Sequence, residues 1–256
     1  MKTKLLIAIT MFILFVHPES GYGQVPNLRT VSNFILFTSV GAMTNTGATV
    51  TGGGSIGTNS GGITGFTGDL SAEHIQDNET KQCVLDLDEL YEEIDDIPTT
   101  RIIGDVDLPL RDTYTSGVYA VGKAVTLGTT LILDAQGNPD ALFIFKITGA
   151  FSAAAGRKIL LINGALPKNV YFNIDGAISF GAAALMKGTF ISKSGAIAFA
   201  SEATLEGRAL TLDGAVSMNH NLVMNVFTQV PFYILTQPDI THSTGSLTIL
   251  NPKAKK

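Results

Sequence analysis

The sequence predicts a mainly β protein: a solenoid of short parallel strands, a β-helix, with one long α-helix packed alongside. Three observations predict it. A Gly-Ala-aliphatic phrase recurs at Gly176, Gly195 and Gly214, at equal steps of nineteen residues. The strands it opens alternate large apolar with small residues. A second set of strands is apolar on both faces, and the chain holds one amphipathic helical segment able to cover them.

The repeat fixes the solenoid. Aligning the three phrases puts Ile178, Phe180, Ile197, Phe199, Val216 and Met218 on one side, with Ala177, Ser179, Ala196, Ala198, Ala215 and Ser217 on the other. That is the period-two signature of strands with one buried face. Earlier copies fit: GAFSA from Gly149 turns Phe151 inward and Ala150 and Ser152 outward. In KAVTL from Lys123, Val125 and Leu127 point in and Ala124 and Thr126 point out. A strand-helix-strand unit needs about 30 residues or more, so nineteen cannot hold one. Nineteen do hold three short strands and three bends, and stacked coils bury each turn's inward side chains on the next. Regular Gly at this period favours the solenoid over a β-sandwich, which stays the alternative on pattern alone.

The helix follows from the second strand set. ALFIFKI (Ala141–Ile147), NVYFNI (Asn169–Ile174), GTFIS (Gly188–Ser192) and GRALTL (Gly207–Leu212) are apolar on both sides, so they need cover on both. The segment 79–96, ETKQCVLDLDELYEEIDD, carries Val84, Leu87, Tyr91 and Ile94 at helical steps, with Cys83 and Leu90 beside them. Asp86, Asp88, Glu89, Glu92 and Glu93 read as its solvated face. Asp77 and Thr80 are candidate N-caps, and Pro98 ends the pattern. The Gly/Thr-rich opening, Phe34 to Phe66, has a linker's composition. Its embedded Phe34, Leu36, Val50, Ile56, Ile63 and Phe66 argue for tight coils instead.

The chain ends read differently. Residues 1–23 have a secretory pattern: Lys2 and Lys4, a short apolar run from Leu5 to Val16, and small Gly21 and Gly23 before a cut at Gln24. The run is too short to span a bilayer. The protein is therefore expected outside the cell, released or held at its surface. The solenoid domain is expected over 24–229, and residues 230–256 read as an extra hairpin or a loose terminus. A single cysteine, Cys83, leaves stability to packing rather than to disulfides. The net charge of −5 argues against nucleic acid as a partner, and half of the 22 acids lie between Asp69 and Asp96.

Residues for chemistry are scarce. Asp134, Asp140, Asp175, Asp213, Glu202 and Glu206 are scattered, and Asp175 and Asp213 precede Gly as turn formers do. His74, His220 and His242 are isolated, without metal-ligand spacing. No Gly-x-Ser-x-Gly elbow occurs, and GGGSIG from Gly52 lacks the Lys of a phosphate loop and reads as a turn. No catalytic residue, cofactor or metal is expected.

Three segments carry a family resemblance: FTSVGAMTNTGATVTGGGSIGTNSGGITGF near the start, DAQGNPDALFIFKITGAF at 134–151, and FGAAALMKGTFISKSGAIAFASEATLEGRALTLDGAV at 180–216. In order and spacing the chain resembles the ice-binding family known as DUF3494, the type I ice-binding fold, from about Val31 to Phe227. The resemblance implies a right-handed β-helix of triangular section with one long helix alongside. It also implies that the segment before the helix joins the solenoid beside the C-terminal coils, out of sequence order. The implied function is adsorption to ice through a flat face, which slows ice growth or recrystallisation, by a monomer without a membrane span.

An ice-contact face should be flat, rigid, poor in charge and made of small side chains. The outward positions of the Gly-Ala strands fit: Ala124, Thr126, Ala150, Ser152, Ala177, Ser179, Ala196, Ala198, Ala215 and Ser217. The middle strand of each coil fits less well, because Lys187 and Glu206 point out there, and the third strand belongs to the helix. The opening threonines Thr44, Thr46, Thr49 and Thr51 extend this face or another. The alternative function is a structural or adhesive cell-surface module that binds glycans or another surface. An exposed aromatic strip would favour that reading, a regular Thr ladder would favour ice, and a carboxylate groove would favour a carbohydrate-active enzyme.

Overall fold

Three parallel sheets form the walls of the solenoid in the computed structural model, which describes residues 25–66, 70–104, 108 and 113–224. The expected signal segment 1–23 and the tail 230–256 lie outside the described residues. The first wall runs, neighbour to neighbour, through Glu73–Ile75, Ser55–Thr58, Phe34–Thr38, Thr204–Thr211, Leu185–Ser192, Val170–Ile174, Phe143–Ile147, Gly117–Val121 and Arg101–Ile103. The second runs through Val125–Leu127, Phe151–Ala153, Ile178–Phe180, Ile197–Phe199, Val216–Met218, Met43–Asn45 and Ile63–Thr64. The third contains Thr113–Thr115, Leu131–Asp134 and Ile159–Ile162. It continues through the leading halves of Leu185–Ser192 and Thr204–Thr211 to Leu222–Met224 and Val50–Gly52.

The chain order is broken as the resemblance implies. Phe34–Thr38 pairs with Thr204–Thr211, and Met43–Asn45 pairs with Val216–Met218, so the first strands cap the last coils. The Gly/Thr-rich opening is thus built into the solenoid. GGGSIG is only partly a turn: Gly53 and Gly54 make the bend, while Ser55, Ile56 and Gly57 belong to a strand.

The interior is filled by the predicted inward residues. Ile178, Phe180, Ile197, Phe199, Val216 and Met218 are all buried, as are Val125, Leu127 and Phe151. Because parallel strands stack like residues on like, the helix-side strands build an aromatic column. Tyr119 and Phe145 lie 5.2 Å apart, Phe145 and Phe172 4.9 Å, and Phe172 and Phe190 4.4 Å between ring centroids.

The helix spans Asn78–Asp96, and Asp77 is its N-cap, its Oδ1 accepting from Thr80 N at 2.8 Å. Cys83, Leu87, Leu90, Tyr91 and Ile94 pack on the outward faces of Val118, Ile144, Tyr171, Ile191 and Leu210. The doubly apolar strands therefore find their second cover there, and Cys83 is a buried packing residue whose thiol burial pushes far from ionisation. The helix has no basic residue in its last turn. Lys146, from the wall beneath, donates to the carbonyls of Asp95 and Ile97 and supplies the missing positive charge. The Tyr91 hydroxyl donates to Asp175, so the acid before Gly176 ties the helix to a corner as well as shaping a turn.

Asp86 departs from expectation. It is not on the solvated face but buried, 6% exposed. Its Oδ2 accepts from Thr30 N at 3.0 Å and Thr30 Oγ1 at 2.5 Å, and its Oδ1 accepts from Gln82 Nε2 at 2.9 Å. The carboxylate thereby fastens the 3-10 turn Arg29–Asn33 to the helix. Burial alone would raise its pKa, but the hydrogen bonds from Thr30 and Gln82, with the Arg29 charge, hold it below the ordinary carboxylate value. A carboxyl whose folded-state pKa is depressed stabilises the fold fully above its unfolded pKa, and this stability is lost as pH falls through the folded value. Asp86→Ala should therefore cost about 2 kcal/mol at neutral pH. That deficit should shrink below about pH 3, in denaturant melts of both proteins. An equal deficit at both pH values would contradict this account.

Candidate functional site

The second wall is the flat one, and its outward side chains are the candidates. Each of its strands has three residues or fewer, bounded by bends, so only small residues at two or three positions per rung face out. The middle row runs in unbroken register: Thr126, Ser152, Ser179, Ala198, Ser217, Thr44 and Thr64. The row before it is Ala124, Ala150, Ala177, Ala196, Ala215, Ala42 and Gly62. Backbone bonds join each rung to the next, such as Ile178 N to Ala196 O and Val216 N to Ala42 O, at 2.9 and 3.0 Å. Rungs in such a wall repeat at about 4.8 Å.

The structure brings all ten predicted residues together on this one surface. Ala124, Ala150, Ala177, Ser179, Ala196, Ala215 and Ser217 are exposed, and Thr126, Ser152 and Ala198 are half-buried. Ser152 Oγ donates to Thr126 Oγ1 at 3.1 Å, so neighbouring rungs share a hydroxyl contact. Neither row contains a charged residue. Charge appears only in the flanking bends, with Lys123, Asp175, Lys193 and Asp213 on one side and Arg157 and Glu202 on the other.

The opening threonines separate. Thr44 continues the middle row and Thr64 ends it, while Thr46 sits exposed one step beyond, its N on Met218 O at 3.0 Å. Thr49 and Thr51 are buried and take no part; the Thr49 hydroxyl donates to Asn45 Oδ1 at 2.7 Å. Among the described residues the row therefore carries hydroxyls at six of seven positions, from Thr126 to Thr64. Sequence reasoning offered Thr44 for this face or another without placing it, and missed Ala42, Gly62 and Thr64. The signal was present, since Gly41-Ala42-Met43 repeats the Gly-Ala-aliphatic phrase.

The other walls are built differently. On the third, Lys187 and Glu206 face out as expected and form an ion pair across neighbouring rungs. Leu160 and Leu185 are exposed beside them, so this wall is uneven and charged. On the first, the helix covers the outward side.

Several of the remaining reactive residues have structural partners. Asp134 Oδ1 accepts from Gln136 N at 2.7 Å and Asn163 Nδ2 at 2.9 Å. His74 is not isolated, as its Nδ1 lies 2.7 Å from Asp77 Oδ2 and its Nε2 3.5 Å from Glu79 Oε2. Among the described residues no group of three or more His, Cys, Asp or Glu is placed to hold a metal. Every described Phe and Tyr except Phe66 is buried, so no aromatic strip lies exposed there. Among the described residues no helix is long and apolar enough to cross a membrane.

Comparisons with known proteins agree with this architecture. The chain is 30% identical over 183 residues to an ice-binding protein of Nostoc sp. (strain HG1), covering 70% of this chain and 66% of that one. It is 49% identical over 71 residues to ice-binding protein 1 of Shewanella frigidimarina, covering 27% of this chain and only 8% of that much longer protein. The crystal structure of an ice-binding protein from an Antarctic Flavobacteriaceae bacterium superposes with a TM-score of 0.74 at 34% identity. That match covers 84% of this chain and 50% of the other. The sequence profile of the family described as ice-binding-like matches residues 37–224, well over half of the chain. The protein belongs to the ice-binding-like family.

Proposed function

We propose that the protein adsorbs to ice through the flat wall and thereby slows ice growth or recrystallisation. One observation carries this reading: two in-register rows of small, uncharged side chains run across seven rungs of a rigid sheet. Ice presents a fixed lattice of water, so affinity must come from many weak contacts made together, as in any multivalent array. Rows repeating at the spacing of a β-ladder on a wall that cannot flex meet that demand. Alternating methyl and hydroxyl rows offer both apolar contact and hydrogen bonds to lattice water. Family membership and the names of the relatives support the same target.

The protein is read as a secreted monomer. The Lys-plus-apolar start and the small residues before Gln24 support export. It is read as non-enzymatic, because Asp134, Asp175 and Glu206 are spent on a turn, a helix tether and an ion pair. An adhesive role finds no support in the exposed residues of the flat wall, which carry no ring apart from the half-buried Phe66 at its edge.

The test is an ice recrystallisation assay on residues 24–256. Grain growth should slow at micromolar dose, and a fluorescently labelled sample should coat a growing ice surface. Unchanged grain growth together with bare ice sinks the reading.

A further inference from the structure

The corner between the helix wall and the flat wall is built in two ways. From Ile147 to Phe151 and from Ile174 to Ile178 the chain takes four steps. From Ser192 to Ile197, Thr211 to Val216, Thr38 to Met43 and Thr58 to Ile63 it takes five. The four-step corners place buried aliphatic residues, Ile147 and Ile174, at the turn. At the same position of the five-step corners stand Ser192, Thr211, Thr38 and Thr58, each fully buried.

Each buried hydroxyl donates to the carbonyl of a glycine just before a flat-wall strand. Ser192 Oγ reaches Gly176 O at 2.9 Å, Thr211 Oγ1 Gly195 O at 2.9 Å, Thr38 Oγ1 Gly214 O at 2.7 Å, and Thr58 Oγ1 Gly41 O at 2.8 Å. The glycines stack without room for a side chain. A Cβ on Gly214, whose φ is +146°, would stand 2.4 Å from Gly195 O, and one on Gly41 2.5 Å from Gly214 O. Each carbonyl is thus held from below by a hydroxyl inside the solenoid and from beside by the next glycine. In each case the five-step corner is that of the next rung: its extra residue leaves the glycine carbonyl of the rung before without a backbone partner, and the hydroxyl gives it the one a buried carbonyl requires.

We propose that Ser192, Thr211, Thr38 and Thr58 are positioning residues, which fix the level and spacing of the flat wall's upper rungs without touching ice themselves. The inference rests on the flat wall being the ice-contact face. Ala196, Ala215 and Thr44 follow those corners within a few residues, and a rigid lattice rewards contacts only when all rungs are level to a fraction of a rung. Valine has the shape of threonine and lacks the hydroxyl, so it removes the bond and keeps the volume.

The experiment compares wild type with the double variants Thr38→Val/Thr211→Val and Thr38→Ser/Thr211→Ser. Two readouts are taken: amide hydrogen exchange at Gly195–Ile197 and Gly214–Val216, and the dose for half-inhibition of recrystallisation. The Val pair should remain folded at the assay temperature, exchange faster at those amides, and need a dose about tenfold higher, as contacts on the array fall out of step. The Ser pair should match wild type. A purely stabilising hydroxyl would lower the melting temperature and leave the dose unchanged. Wild-type exchange and dose in the Val pair overturn the proposal, as does an equal loss in the Ser pair. If wild type leaves ice unaffected, the functional reading falls, and the exchange comparison alone decides whether the hydroxyls hold the wall. Should the Val pair not fold, Thr58→Val on the outer rung is measured in its place, with the same outcomes.

Discussion

Ala196→Tyr is expected to weaken inhibition of ice recrystallisation by about tenfold or more while the protein keeps its melting temperature. Ala196 is exposed and stands in the row of alanines between Ala177 and Ala215. Its methyl group touches solvent, so enlarging it disturbs no packing, and a surface change of this kind shifts stability by less than about 0.5 kcal/mol. The effect on ice is of another order. A tyrosine ring stands well above neighbouring methyl groups and hydroxyls, so a planar lattice that meets the ring loses contact with the rungs on either side. Because adsorption is the product of many weak contacts, losing several together should raise the required dose by about tenfold or more. Ala177→Tyr, one rung away, should behave alike. Lys158→Tyr, exposed on the third wall, should leave activity unchanged. Full activity in the folded Ala variants would assign ice contact to another surface.

The second large effect is on the fold. Phe172→Ala should destabilise the protein by about 4 kcal/mol, read as a lower midpoint in guanidinium. Phe172 is fully buried in the middle of the aromatic column, 4.9 Å from Phe145, 4.4 Å from Phe190 and 5.5 Å from Phe151. Its removal leaves a void between two rungs that cannot collapse, because each strand is held in register by the ladder on both sides. Net stabilities are about 5–15 kcal/mol, so this single loss is a large part of the whole. Phe172→Leu, which refills part of the void, should cost much less. A loss under about 1 kcal/mol for the alanine variant would show that neighbouring coils relax into the space.

Both predictions concern rungs whose reading needed little beyond the sequence. At Ile178, Phe180, Ile197 and Phe199 the alternation is clean because one side is buried and the other wet, and that contrast imposes a period of two on any chain. The helix was legible for the same reason, with its stripe of Leu87, Leu90, Tyr91 and Ile94. The site was legible where it shared the nineteen-residue step, giving Ala177, Ser179, Ala196, Ala198, Ala215 and Ser217. It was hidden at Ala42 and Thr64, and Thr44 was named without a place, because these residues lie far away in sequence and join the face through pairing with the last coils. Composition misled at Asp86, whose charge suggested solvent and whose carboxylate is instead surrounded by donors from Thr30 and Gln82.

Periodicity by itself determined that this chain makes a solenoid, which side chains fill it, and that one helix covers one wall. These follow from local burial contrast, which each strand carries in its own residues. Tertiary structure alone decided which rungs the opening strands pair with, that the hydroxyl row runs through seven rungs of the described residues, and which corner hydroxyls hold the glycine carbonyls. Those depend on which edges meet across distant parts of the chain: a parallel edge pairs through its backbone, which is nearly the same whatever the side chains.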